Sequence, residues 1–207
     1  MKVSREKAAE NRERIIDAAG TLFRANGFAG IGVADIMKAA ELTHGGFYGH
    51  FASKDDLAAQ ASRRSLARAA AKWERIAAAA PEKKAYAALL ANYLTSTHRD
   101  DPGRGCAFAS LSADAARGGK AVRAAFAEGL RPFLDTLAES IPGRSKAARR
   151  RKAVATMAAL VGAVTLARAV GDQRLSDEIL AAVQRELLET VPTLSRGRPA
   201  LDSHSVL

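Results

Sequence analysis

The chain has 207 residues, 48% of them apolar and only 5% aromatic, and alanine is abundant, a balance that suits packed helices and excludes global disorder. Its formal net charge of +10 suits a polyanionic partner. The single cysteine, Cys106, excludes a disulfide within the chain, and Met1 to Lys7 lack the apolar core of a signal peptide, so a cytoplasmic location is expected.

Residues 6–26 read as a first helix, because Ile15, Ala19, Leu22 and Phe23 recur at i, i+4, i+7 and i+8 on one stripe. Gly27 ends it as a C′ residue, with Phe28 placed to pack back. Val33 to Phe51 then read as two short helices, 33–40 and 44–50, joined by a turn at 41–43. Val33, Ile36, Ala40, Leu42, Phe47 and Phe51 can close a small core, which leaves Thr43, His44, Gly45, Gly46, Tyr48 and His50 outside. A surface helix usually carries Glu and Lys there; this face is built to lie against something, as a helix-turn-helix presents its reading helix to the major groove. Thr43 is the expected N-cap. His44 and Gly46 fall where base edges are read, Gly45 allows close backbone approach, and His50 and Lys38 are further contact candidates.

Ser53-Lys-Asp-Asp56 reads as a capping box that opens a long helix to about Ala80, with Leu57, Ala61, Ala69, Trp73, Ile76 and Ala77 inward, and Pro81 stops it. A fifth helix is expected over 82–98, on Tyr86, Leu89, Leu90, Tyr93 and Leu94. Arg99 to Gly105 form a loop by composition, and Cys106–Arg117 a short helix broken by Gly118-Gly119. The next helix covers 120–140 through Val122, Phe126, Leu130, Phe133 and Leu137, with a kink expected at Pro132 and an end at Pro142-Gly143.

Two last helices are expected at 145–170 and 176–190. The first is apolar on more than one face and needs more than one partner; the second carries Ile179, Leu180, Val183, Leu187, Leu188 and Val191. Together they can bury one face inside the subunit and another against a second copy, giving a homodimer. The run Ala153–Ala167 is too short and alanine-rich for a membrane span, so a buried helix and no membrane partner are expected. Residues 193–207, with Ser195-Arg-Gly-Arg-Pro199, read as a disordered basic tail. The expected fold is all-α with about nine helices: a three-helix DNA-binding domain at 1–54 (helix-turn-helix 31–50), then a larger helical dimerisation domain at 55–192. Charge is spread unevenly: 8 Lys/Arg meet 6 Asp/Glu in residues 1–54, against 11 and 6 in residues 144–207. The reading segment is therefore electrostatically mild, and the Arg144–Lys152 cluster reads as a solvated helix start.

The N-terminal 55 or so residues resemble the TetR family of bacterial transcription regulators. The resemblance is carried by Arg14-Ile15-Ile16, Ala19, Leu22-Phe23, Gly27-Phe28, Val33, Ile36, Leu42-Thr43, Gly45, Phe47-Tyr48, His50-Phe51, Ser53-Lys54 and Leu57. It implies a double-stranded DNA operator as partner, with Tyr48 and Lys54 matching the family's phosphate-binding tyrosine and lysine. It also implies that the C-terminal domain at 55–192 is ligand-binding as well, taking a small effector and thereby lowering DNA affinity, most often in a repressor. Two positions depart from the pattern: Gly32 stands where Ser or Thr is common, and Glu41 where Gly is common. If position 41 needs a positive φ, glutamate there costs about 1 kcal/mol.

Candidate walls of the effector pocket are Trp73, Tyr86, Tyr93, Phe108, Phe126, Phe133 and Met157, a mix that suits an apolar or aromatic ligand. Cys106 follows Arg104-Gly105 at a helix start, where the helix end and the arginine favour thiolate; some branches of the family resembled sense electrophiles or oxidants with a cysteine in this region. Rival readings are a non-specific DNA binder and an enzyme built on a Cys106–His98 dyad, which lacks an orienting third group in the sequence. His44, His50, His98 and His204 show no metal-ligand spacing, and no cofactor is expected.

Overall fold

In the computed structural model, which describes residues 5–81, 83–142 and 145–190, every regular element is helical. The order is α1 (Arg5–Asn26), α2 (Val33–Ala39), a 3-10 turn (His44–Gly49), α3 (Lys54–Ala79), α4 (Ala85–Tyr93), α5 (Ser96–Asp100), α6 (Ala107–Arg117), α7 (Lys120–Ser140), α8 (Lys146–Ala169) and α9 (Gln173–Glu189). The expected tail at 193–207, together with Gly143, Arg144 and Val191, lies outside the described residues.

The apolar stripes do what their periods predict. Ile15, Ile16, Ala19 and Phe23 of α1 are buried with Ile36, Met37, Ala40, Phe47 and Phe51 under the reading turn. Gly27 adopts φ 76 and its amide closes on Phe23 O at 2.8 Å, while the Phe28 ring packs edge-on to Phe23 at 5.2 Å. Ser53 caps α3 by accepting from Asp56 N at 3.1 Å; the Asp56 carboxylate returns to Ala52 N at 3.2 Å, one residue before the partner a capping box would use.

Helix α3 serves both halves of the chain. Towards α1, Arg64 pairs with Glu13 and Asp17, Arg68 pairs with Asp17, and Ser65 accepts from Arg24. Towards α7, Leu66 sits against Gly129, Arg63 reaches Glu128 at 3.2 Å, and Trp73 meets Phe133 at 4.9 Å between ring centroids. One contiguous core runs from Ile15 to Leu187.

Two expected elements differ. The helix expected over 82–98 is two helices, because Leu94 leaves helical geometry at φ −89, ψ 67 and Thr95 caps a new start by accepting from His98 N at 3.0 Å. The second piece, α5, extends into the expected loop and carries Arg99, which is 6% exposed and pairs with Asp100 at 2.6 Å and Asp177 at 2.5 Å, tying α5 to α9. The reading helix at 44–50 is a 3-10 turn ending at Gly49. Three of its six residues are glycine, which lose most freedom on entering an α-helix, so the tighter, shorter turn prevails.

By length and composition α8 could cross a membrane, and 39% of its most apolar 18-residue window is buried against the chain. It packs on α7 and α9, while Val154 and Leu166 on it stay 48% and 57% exposed. Leu175 and Leu188 of α9 are exposed as well, at 44% and 38%.

The α3–α7 crossing sets one expected outcome. A Cβ on Gly129 would fall 2.6 Å from Leu66 Cδ1 and 2.8 Å from its Cβ, so one helix must move. Overpacking of this kind costs about 1–3 kcal/mol, and alanine regains roughly 1 kcal/mol of helix propensity. Gly129→Ala therefore lowers stability by about 1 kcal/mol, read as a lower urea midpoint at unchanged slope.

Candidate nucleic-acid interface and cavity

The reading turn is held from below and bare above. Phe47 is fully buried and Phe51 nearly so, their rings 5.6 Å apart, and the Arg12 guanidinium lies 5.2 Å over the Phe51 ring. Next to Phe47, Tyr48 is 72% exposed, the largest exposure among the large apolar and aromatic side chains. Lys38, Thr43, His44 and Gly45 are exposed; Gly46, His50 and Lys54 are half-buried. Thr43 occupies the N-cap position, but its hydroxyl makes no cap bond; the turn is closed by Gly46 N on Thr43 O at 3.1 Å. The hydroxyl thus remains available to another acceptor or donor.

Gly45 has no internal reason to be glycine. It has no positive φ, and a Cβ there would meet nothing within 4 Å. Gly49 is equally open, whereas a Gly46 Cβ would contact Met37 Cε at 3.7 Å. At Lys54, the first residue of α3, the amides of Lys54 and Asp55 find no acceptor among the described residues, so donors and the positive end of the helix dipole face outward together.

The turn before the reading element confirms the expected strain. Glu41 adopts φ 55, the left-handed region, and its carboxylate receives Arg14 at 2.7 Å. The pair cancels the negative charge that Glu41 brings to this face. At Gly32, the N-cap of α2, the missing hydroxyl is partly replaced from the other side: Asp35 accepts Gly32 N at 3.2 Å.

A second feature is a cavity of about 460 Å³ between α3, α4, α5 and the start of α6. Its wall includes Lys72, Trp73, Asn92, Tyr93, His98 and Cys106, with Phe133 behind. Trp73, Tyr93, Phe133 and Cys106 of the sequence candidates meet here; Phe108 and Phe126 stack on each other at 5.6 Å in the core beside it, Tyr86 bonds Thr156 at 2.9 Å, and Met157 is buried, none of these lining the cavity. Lys72, Asn92 and Thr97 were not legible as pocket residues, because only the break after Tyr93 turns them to one space.

His98 is locked in one tautomer. Its Nδ1 bonds Tyr93 O at 2.7 Å, so Nδ1 carries the hydrogen, and its Nε2 accepts Cys106 N at 2.9 Å. Burial lowers its pKa, in keeping with a neutral ring. The dyad reading fails on this geometry: the ring nitrogen that would take the Cys106 proton is already bound to the Cys106 amide. Burial pushes the Cys106 thiol up, opposed by hydrogen bonds from the Phe108 amide, Tyr93 and the Ala109 amide. Arg104, expected to favour the thiolate, is 89% exposed and turned to Asp101. Apart from its weak contact with the Cys106 sulfur, the Tyr93 hydroxyl is buried and makes no hydrogen bond among the described residues.

The described residues thus form a helix-turn-helix head with a bare reading face, joined to a larger set of helices that encloses a cavity. Residues 15–61 match the sequence profile of the bacterial regulatory proteins of the tetR family. Similar solved structures are the reduced form of Escherichia coli NemR (TM-score 0.75, 21% identity, covering 90% of this chain and 100% of that one), a TetR-family regulator from Agrobacterium tumefaciens (0.74, 20%, 90% and 100%) and one from Chloroflexus aurantiacus J-10-FL (0.73, 23%, 90% and 98%). No curated protein sequence matches the chain.

Proposed function

We propose that the chain is a dimeric repressor that grips a pseudo-palindromic operator with two reading turns and lets go when a small effector fills the cavity. The observation that carries the reading is the bare face of the 3-10 turn, where Tyr48 is 72% exposed beside the fully buried Phe47. Tyr48 and Lys54 hold phosphates, with Lys38 and Thr43 as further backbone contacts. His44, Gly46 and His50 face the groove, and Gly45 is glycine so that DNA can approach the backbone. The protein acts in the cytoplasm.

The second copy covers the outer strip of α8 and α9, where Val154, Leu166, Leu175 and Leu188 stand out of the core. A single head reads only a half-site, so a two-fold pair suits an operator with half-sites one or more helical turns apart.

A second reading of release is supported by Cys106 lying in the cavity wall at the N-cap position of α6. Modification of its thiol would fill the same space that the effector takes.

Three measurements test these statements. Tyr48→Phe leaves the melting curve unchanged and weakens binding to a DNA site selected from a random pool by about tenfold for each head, the loss of one phosphate hydrogen bond; unchanged affinity removes Tyr48 from the interface. Leu166→Glu turns the dimer into a monomer by sedimentation at micromolar concentration, and a wild-type monomer would sink the pairing. Cys106→Ser keeps operator affinity and loses release by N-ethylmaleimide; full release in the variant overturns the thiol reading.

A further inference from the structure

The cavity carries a charge pattern that its aromatic wall does not explain. Lys72 lies in the lining with no ion pair among the described residues. Arg168, half-buried behind Gly105, gives its hydrogen bonds to His98 O at 2.6 Å, Arg99 O at 3.0 Å and Ser110 Oγ at 2.9 Å. Arg24, reaching across from α1, gives its own to Gly103 O at 2.6 and 2.9 Å and to Ser65 Oγ. Every one of those acceptors is neutral. Among the described residues the only acid in the lining is Asp101, and Arg104 already sits 3.5 Å from it. A semi-enclosed space with low-dielectric walls keeps such a field from being screened as it would be in water.

Two further features narrow the ligand. Trp73 stands roughly perpendicular to Tyr93 at 5.7 Å and to Phe133 at 4.9 Å, so Trp73 and Tyr93 line the cavity with the fully buried Phe133 behind them. The Tyr93 hydroxyl, in the same wall, has among the described residues only the Cys106 sulfur, a weak acceptor, to donate to. Aromatic walls by themselves attract cations, but Lys72 in the lining, with Arg168 behind Gly105, opposes one here.

We infer that the cavity takes a small aromatic carboxylate, its ring against Trp73 and Tyr93 and its carboxylate on the side of Lys72, accepting from the Tyr93 hydroxyl. This rests on the effector reading above and adds the charge and the class. The volume of about 460 Å³ admits one or two rings with a short side chain. Arg24 makes the charge matter for DNA: it belongs to the DNA-binding head, yet it is anchored on the loop that runs from Asp101 to Gly105 along the cavity rim.

The chain's one tryptophan, Trp73, reports occupancy by its fluorescence. The probes are 3-phenylpropanoate, 3-phenylpropanamide and 3-phenylpropylammonium, which share a ring and tether and differ in charge. The expected order is carboxylate about tenfold tighter than amide, and ammonium weaker than both, a charge-assisted bond being roughly twice as strong as a neutral one. Lys72→Gln, at an exposed position, lowers carboxylate affinity severalfold and leaves the amide unchanged; Tyr93→Phe weakens the carboxylate without lowering the melting temperature. Binding of the ammonium or amide as tight as the carboxylate, no quenching by any probe, or a carboxylate-to-amide ratio unmoved by Lys72→Gln overturns the inference. If the carboxylate binds as expected and operator affinity stays the same, the ligand class stands and the effector reading falls.

Discussion

Helix α3 is 26 residues of unbroken helix, about 39 Å long at 1.5 Å per residue, and it has duties at both ends. Lys54 opens it beside the reading turn, and Trp73 sits five turns further on in the cavity wall. Nothing between them is soft: the Ser53 cap fixes the start, Arg64 and Arg68 lock one side to the acids of α1, and Leu66 presses on Gly129 of α7 on the other. A rod held this way transmits tilt rather than absorbing it. Nineteen residues separate Trp73 from Lys54, roughly 28 Å along the axis, so a few degrees of rotation at the cavity moves the head by more than an ångström.

The loop at 101–105 is the other constraint. Its backbone carbonyl at Gly103 is held by Arg24 of the head, and the preceding α5 carbonyls are held by Arg168 of α8. Charged donors on neutral carbonyls give bonds stronger than ordinary ones without an ion pair's full desolvation. Burial depresses the pKa of both arginines, which remain charged far above neutral pH. Head, cavity and the outer helices are thereby connected through three residues of main chain.

Much of this could be read from residue order alone, and the failures have physical causes. The ends of α1, α2, α3 and α6 were legible because glycine, proline and capping side chains stop helices by local chemistry. The break after Tyr93 carries no Gly or Pro; its one local signal is Thr95, a good N-cap in the middle of an apolar stripe. Glu41 was legible as a strained position, but the arginine that neutralises it lies 27 residues away on another helix. The same holds for the cavity: Trp73, Tyr93 and Cys106 stand out by residue type, whereas Lys72, Asn92 and His98 look like surface residues until three helices bring them together. His98 in particular seemed a base for Cys106, and only the backbone bonds at both ring nitrogens show that it is a strut.

The glycines of the reading turn have a kinetic consequence. Gly45 and Gly49 face open space, so the unbound turn samples more backbone states than an alanine or serine turn would, at about 0.5–1 kcal/mol of entropy for each glycine fixed. On the proposed function, seating on DNA removes that freedom in both copies of the dimer at once, and the loss appears mainly in how long the complex lasts. A head of this make-up would trade residence time for a close fit, and a short residence would let a change in the level of the proposed effector be read out soon after it occurs.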